Sequence, residues 1–315
     1  MGTALALLEI VLPVFLVIGL GYAAARTRFL AEDVIDALTS YGVRVATPAL
    51  LFLALLRLDL GQAVDWRALL AFFATINISF FTAMALSRKF WQRRPGEAVA
   101  IGFAACFGNT VMLGVPIAER AYGAEVVAAV FGLIALHSAH NYFLGFITME
   151  MVRADGTSFW EGLRRAFATT ISNPLIWSLA ALPLNLARAP LPEMLVEGLD
   201  MLAATAIPVS LFSLGGVLTR YRLRDEIGEA LMISSMTLLA MPAIAWVLTA
   251  FVLGLAPEFV RAVVILTAMP SGVNGYIFAT LYGRAVGTAA SAVLLGTILS
   301  LGTITFWLGL LALWS

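Results

Sequence analysis

The chain has 315 residues, 61% of them hydrophobic and 12% charged, with a mean hydropathy of +0.96. That balance excludes a soluble globular domain, whose surface needs far more polar side chains. Lys+Arg 19 against Asp+Glu 19 excludes the basic excess of a nucleic-acid-binding protein, and a single cysteine, Cys106, excludes an intrachain disulfide and a thiolate metal centre.

Apolar runs of about 20 residues, the length that crosses a bilayer as a helix, begin at the N-terminus. The first, near Thr3–Ala25, has no basic leader and carries Glu9, so it reads as a retained helix rather than a cleaved signal. Further runs follow near Asp33–Leu56, Arg67–Ser87, Glu97–Ala121 and Ala124–Val152. The longest loop, 153–170, contains Ser158-Phe159-Trp160-Glu161, a capping-box spacing. Phe159, Trp160, Leu163 and Phe167 share one helical face beside Arg164 and Arg165, which predicts a short interfacial helix. The second set of runs lies near Ile171–Ala187, Glu193–Thr219, Gly228–Leu253, Phe259–Leu281 and Ala285–Trp314. The prediction is an all-α membrane protein of ten transmembrane helices. Residues 1–152 form the first half, 153–170 a cytoplasmic linker and 171–315 the second half. No strand-like alternation supports a β-barrel.

Basic residues crowd one set of loops, with Arg26, Arg88, Arg93, Arg153, Arg164 and Arg220 among thirteen, against five on the other side. The crowded side is expected to be cytoplasmic, with both termini on the outer or periplasmic side of the cell (inner) membrane.

An internal repeat is visible at one offset. Tyr122-Gly123 and Tyr282-Gly283 lie 160 positions apart, as do Pro48-Ala49-Leu50-Leu51-Phe52 and Pro208-Val209-Ser210-Leu211-Phe212. With five spans in each half, the second half enters the membrane inverted, the architecture in which transporter sites form between repeats near the midplane.

Two apolar runs are interrupted at matching places. The first interruption is Gly108-Asn109-Thr110-Val111-Met112-Leu113-Gly114-Val115-Pro116 and the second Met269-Pro270-Ser271-Gly272-Val273-Asn274-Gly275. Unwinding at such places frees backbone groups that hydrocarbon does not tolerate unless protein or a wet cavity receives them. It also creates half-helix N-termini with free N–H donors and partial positive charge, suited to an anion. Asn109, Thr110, Gly114, Pro116, Pro270, Ser271, Gly272 and Asn274 are the candidate substrate-binding residues. A proline kink satisfied by neighbouring helices is the plainer alternative. Pro13, Pro48, Pro208 and Pro242 lack such neighbours and read as simple kinks.

Arg44 falls about 16 Å along the second span at about 1.5 Å per residue, where charges are functional candidates by default. It either meets an anionic substrate or forms an ion pair with Asp36, Asp200 or Glu9. His137, His140 and Asn141 share a face of the fifth span, so the histidines, with Asp200, are candidates for proton coupling; interhelical hydrogen bonding is the alternative. Asn77 reads as helix–helix glue. No metal-ligand set, P-loop or catalytic constellation stands out, so an intramembrane enzyme is a remote reading, and no cofactor is expected.

The two interruptions, each running on to Tyr-Gly, resemble the fourth- and ninth-helix motifs of the auxin efflux carrier (AEC) family, and the ten-span layout agrees along nearly the whole chain. The short central loop resembles bacterial members, which are often labelled malonate or malate transporters, rather than many plant PIN-FORMED carriers. The resemblance implies two inverted five-helix repeats whose broken helices 4 and 9 cross at the midplane. It also implies a scaffold of helices 1, 2, 6 and 7, frequently dimerising, and a transport unit of helices 3–5 and 8–10 that moves in an elevator-like manner. The expected function is transport of small organic anions, mono- or dicarboxylates, with H+ or Na+ as a possible coupling ion. The expected partners are the substrate anion, the lipid bilayer and a second copy in a homodimer. A sodium-coupled carrier of the bile-acid symporter type is the alternative, with Asn109, Thr110, Ser271 and Asn274 as oxygen ligands.

Overall fold

The computed structural model describes residues 2–57, 65–152, 177–221 and 226–314, together with Arg164 and Ala168. The expected interfacial helix within 153–170 and the start of the sixth span, 171–176, therefore lie outside the described residues, apart from those two helical positions.

Every described element is helical. In chain order they are α1 (Gly2–Arg26), α2 (Glu32–Tyr41), α3 (Thr47–Arg57), α4 (Trp66–Trp91), α5 (Pro95–Cys106), α6 (Val115–Val152) and α7 (Ala181–Leu186). There follow α8 (Glu193–Ala204), α9 (Ala206–Leu218), α10 (Ile227–Ser235), α11 (Met241–Trp246), α12 (Pro257–Thr267), α13 (Val273–Tyr282) and α14 (Val286–Trp314). Among the described residues, 7 helical stretches are long and apolar enough to cross a membrane. They coincide with the first, second, third, fifth, seventh, eighth and tenth expected spans. The fourth is cut into α5 and the start of α6, and the ninth into α12 and α13, and neither α5, α12 nor α13 has spanning length.

The prolines explain much of the local irregularity. Pro48, Pro116 and Pro242 each stand two residues beyond a π turn, at Gly42–Ala46, Thr110–Gly114 and Met236–Ala240. In front of each, Thr47, Val115 and Met241 donate their N–H to the carbonyl five residues back, on Gly42, Thr110 and Met236. The extra residue in the turn absorbs the donor that proline lacks. Pro48 and Pro242 are thus not the simple kinks expected. Carbonyls freed four residues before a proline find other donors: Leu238 O accepts from Trp307 Nε1 at 2.8 Å, and Glu9 O from Arg120 Nη2 at 3.1 Å.

Packing relies on small residues, as it must where lipid is as apolar as the core. α1 crosses α9 backbone to backbone: a Cβ on Gly21 would overlap the Phe212 carbonyl, and one on Gly215 the Ile18 carbonyl. α8 packs on α3 and α9 on α2, while α4 packs on α5, α12 on α6, and α10 and α13 on α14. Phe103 and Phe278 stack at 4.0 Å between centroids, in a core that fully buries Phe72, Phe80 and Phe146 as well.

Both Tyr-Gly endings use a positive φ but turn the chain differently. Gly123 (φ 69°, ψ -161°) is in the extended region that only glycine enters readily, whereas Gly283 (φ 61°, ψ 34°) is left-handed helical. The first breaks α6 at Gly123 into two helices, between the expected fourth and fifth spans. At one end of the bundle Arg93 gathers Glu97, Glu226 and Glu229. The buried Glu229 carboxylate, bonded to Arg93 Nε at 2.8 Å, is the chief cause that holds this guanidinium above its usual range.

Candidate functional site

The two interruptions pair with each other. Gly108 and Ser271 form an isolated antiparallel bridge. Asn109 N–H donates to the Pro270 carbonyl at 2.8 Å, and Gly272 N–H to the Phe107 carbonyl at 2.8 Å. Backbone groups released by unwinding are therefore satisfied across the crossing, as the absence of water in a membrane core demands. A Cβ on Gly272 would stand 3.2 Å from Phe107 O and 3.4 Å from Asn109 N, so any larger residue would press the two segments apart.

From the crossing two half-helices set out, one at Thr110 and one at Val273. In these first turns Thr110 N–H donates to the Gly108 carbonyl at 2.8 Å, Leu113 N–H to the Asn109 carbonyl at 3.2 Å and Gly275 N–H to the Gly272 carbonyl at 3.0 Å. The other first-turn donors have no acceptor within their own helix, and each terminus carries roughly half a positive charge. Both open on one cavity of about 170 Å³, lined by Asn109, Thr110, Val111 and Met112 from one side and by Gly272, Val273, Asn274 and Ile277 from the other. Thr39, Val43 and Thr47, with Leu214 and Val217 of α9, close it opposite. No charged side chain lines it among the described residues.

The polar side chains are held from behind. Asn274 Oδ1 accepts from Tyr142 Oη at 3.2 Å, and Thr110 Oγ1 lies 3.1 Å from His137 Nδ1. The Asn109 side chain makes no capping bond. Asn141 Nδ2 donates to the His137 carbonyl at 2.8 Å, and Cys106 Sγ lies 3.3 Å from Asn141 Oδ1.

The candidate residues separate into three groups. Asn109, Thr110, Gly272 and Asn274 line the cavity. Gly114, Pro116, Pro270 and Ser271 do not: Pro270 supplies the crossing carbonyl, Pro116 follows the π turn, and a Cβ on Gly114 would press on Leu266 at 3.1 Å. Ser271 Oγ is buried without a hydrogen-bond partner. The third group lies apart. Arg44 is exposed and off the cavity face set by Thr39, Val43 and Thr47, because one residue turns a helix by about 100°. Its proposed partners are engaged elsewhere, Asp36 with Arg220 and Asp200 with Arg57, and among the described residues Arg44 has no ion pair. Asp200, half exposed in that pair, does not reach the crossing. His137 is buried beside it, and the His140 ring lies 4.4 Å from Phe73 with Nε2 unpartnered.

Thr39, Thr47 and Ser138 also line the cavity and escaped the sequence reading. The repeated Thr at 39 and 47, on one face of one helix, and the Ser next to His137 were the available signals.

A paired crossing of broken helices in an apolar bundle is a site architecture shared by many secondary transporters, and comparison with known proteins agrees. The profile of the family described as Membrane transport protein (Mem_trans) matches residues 6–308. The chain belongs to that family. It is 27% identical over 306 residues to a Rhizobium meliloti (strain 1021) protein named as a candidate malonate transporter, covering 94% of this chain and 93% of the relative. It is 25% identical over 292 residues to the uncharacterized transporter YfdV of Escherichia coli (strain K12), covering 90% and 91%. A rice (Oryza sativa subsp. japonica) protein named as a candidate auxin efflux carrier component 5b is 23% identical over 345 residues, covering 92% of each chain. The family resemblance read from the two interruptions is therefore correct. This family member is a multi-pass membrane transporter, and its relatives are transporters rather than enzymes.

Proposed function

We propose that the protein carries small organic anions, mono- or dicarboxylates, across the cell (inner) membrane by elevator-like alternating access. The observation that carries this reading is the opening of two half-helix N-termini onto one cavity with no charged lining residue. Together such termini offer roughly one positive charge without a cationic side chain to desolvate. The apolar rest of the lining favours an anion with an apolar body, and the malonate named for the Rhizobium meliloti relative is the first dianion to set against it.

In this reading the chain is two inverted five-helix repeats, 1–152 and 171–315. Helices 1, 2, 6 and 7 form the scaffold, and helices 3–5 and 8–10 carry the crossing. Support comes from the antiparallel pairing of the two interruptions. With the termini outside, the cavity, which reaches Val217 near the end of α9, opens toward the cytoplasm. A homodimer formed through the scaffold would cover the exposed Arg44. H+ is the favoured coupling ion, with His137 nearest the site and His140 one turn along α6; Asp200, paired with Arg57, is set aside. Sodium coupling of the bile-acid symporter type is the alternative, and it would need the oxygens of Asn109, Thr110, Ser271 and Asn274.

The test is uptake of labelled malonate, malate and indole-acetate into proteoliposomes, with imposed proton or sodium gradients. Flux of at least one of them that falls with Asn109→Ala supports the reading; no flux of any carboxylate ends it.

A further inference from the structure

We propose that His137 positions the Thr110 hydroxyl and, by taking up one proton, turns it into a donor for an anion in the crossing cavity. This rests on the anion-site reading above. Thr110 lines the cavity on the first turn of its half-helix, and its side chain meets His137 Nδ1 at 3.1 Å. A hydroxyl has one hydrogen to give. When Nδ1 is unprotonated it accepts that hydrogen, and Thr110 turns lone pairs toward the cavity. The imidazolium donates from both nitrogens. Nδ1–H then points at Thr110 Oγ1, the hydroxyl hydrogen is released to the cavity, and a full positive charge stands one hydrogen bond behind the anion. The neutral tautomer with its hydrogen on Nδ1 frees the hydroxyl without the charge, so the effect is a graded affinity rather than an on–off switch.

The surroundings leave this proton few other attractions. The ring sits 4.8 Å from Phe107 and 5.5 Å from Phe72 between centroids. The titratable groups near it are His140 one turn along α6, the Cys106 thiol bonded to Asn141 and the Tyr142 phenol engaged with Asn274. The other packed elements carry their charges away from it: Arg261 of α12 lies over Tyr122, Glu97 of α5 joins Arg93, and Arg57 of α3 pairs with Asp200. On α1, Glu9 and Arg26 stand toward the two ends of the membrane-crossing stretch; on α4, Arg67 and Lys89 do the same. Among the described residues no carboxylate is bonded to the His137 ring. A lone charge buried there is costly, and an anion in the cavity offsets that cost. Proton and anion therefore strengthen each other's binding by the same factor. One proton taken from water accompanies one monoanion, and the pair moves no net charge.

The test uses the full chain in lipid nanodiscs and benzoate, which stays ionised from about pH 6 to about pH 8.5. Calorimetry should show affinity rising by about tenfold or more as the pH falls across that range. His137→Gln should bind with pH-independent affinity. Thr110→Ser should keep the slope and Thr110→Val reduce it to the part carried by the imidazolium charge alone, a pair that carries the test even where His137→Gln fails to fold. A flat wild-type profile, a slope that survives in His137→Gln, or one that disappears with His140→Gln instead overturns the proposal while leaving the anion site standing. Absence of benzoate, malonate and indole-acetate binding at every pH removes the site and the proposal together.

Discussion

The two interruptions are alike in backbone and unlike in side chain. Each ends one helix, contributes one N–H and one carbonyl to the crossing, and starts another helix facing the same cavity. The first begins its helix with a π turn and surrounds it with side chains that can change state: Asn109 makes no capping bond, and Thr110 meets a histidine. The second begins with a glycine cap, its serine hydroxyl is buried without a partner, and its asparagine is held by a phenol. The paired backbones supply the geometry; the differing side chains supply the chemistry, of which the first interruption holds more.

The harshest way to break this comparison is to separate the two segments. Gly272→Val drives side-chain carbons against Phe107 O and Asn109. It should lower stability by about 2–3 kcal/mol, read as melting in detergent, and abolish anion uptake. Next come the cavity amides. Asn109→Ala and Asn274→Ala each remove a donor to a charged ligand, and each should weaken anion binding by about 1.5–3 kcal/mol, measured by calorimetry at fixed pH. Equal binding in both variants and wild type would mean that the anion sits elsewhere. Tyr142→Phe leaves Asn274 in place but unheld, and should cost about 1 kcal/mol in affinity, fully reproduced when combined with Asn274→Ala only if the two act independently. Non-additivity in that double-mutant cycle is the expected result. The smallest change is Ser271→Ala. Because Ser271 Oγ is buried and unpartnered, its removal should leave melting unchanged or slightly raised and affinity within about twofold. A large loss of binding in that variant would favour a cation site built on this hydroxyl.

The crossing was legible because its residues are wrong for the membrane: Gly, Asn and Pro crowd together where Leu and Val are the norm. The Tyr-Gly endings were legible for a similar reason, since glycine after a helix marks a positive-φ position; that Gly283 is left-handed and Gly123 extended was not. Arg44 was not, because its depth along the span was read without the face it occupies, which the threonines at 39 and 47 would have shown not to be the cavity face. Ion pairs joining distant elements, Asp36 with Arg220 and Asp200 with Arg57, are matters of tertiary placement. The Arg93 cluster could have been found: Glu226 and Glu229 are spaced three apart on one helical face, at the mouth of an otherwise apolar span. The π turns at Pro48 and Pro242 follow from a rule about missing donors that spacing alone does not announce.

The hydrogen bonds of the crossing, Asn109 to Pro270 and Gly272 to Phe107, amount to a weld. A hinge placed there would have to break both in a medium that offers no replacement. Under the elevator-like motion proposed above, Asn109 and Asn274 would travel as one body, past the walls bearing Thr47 and Leu214.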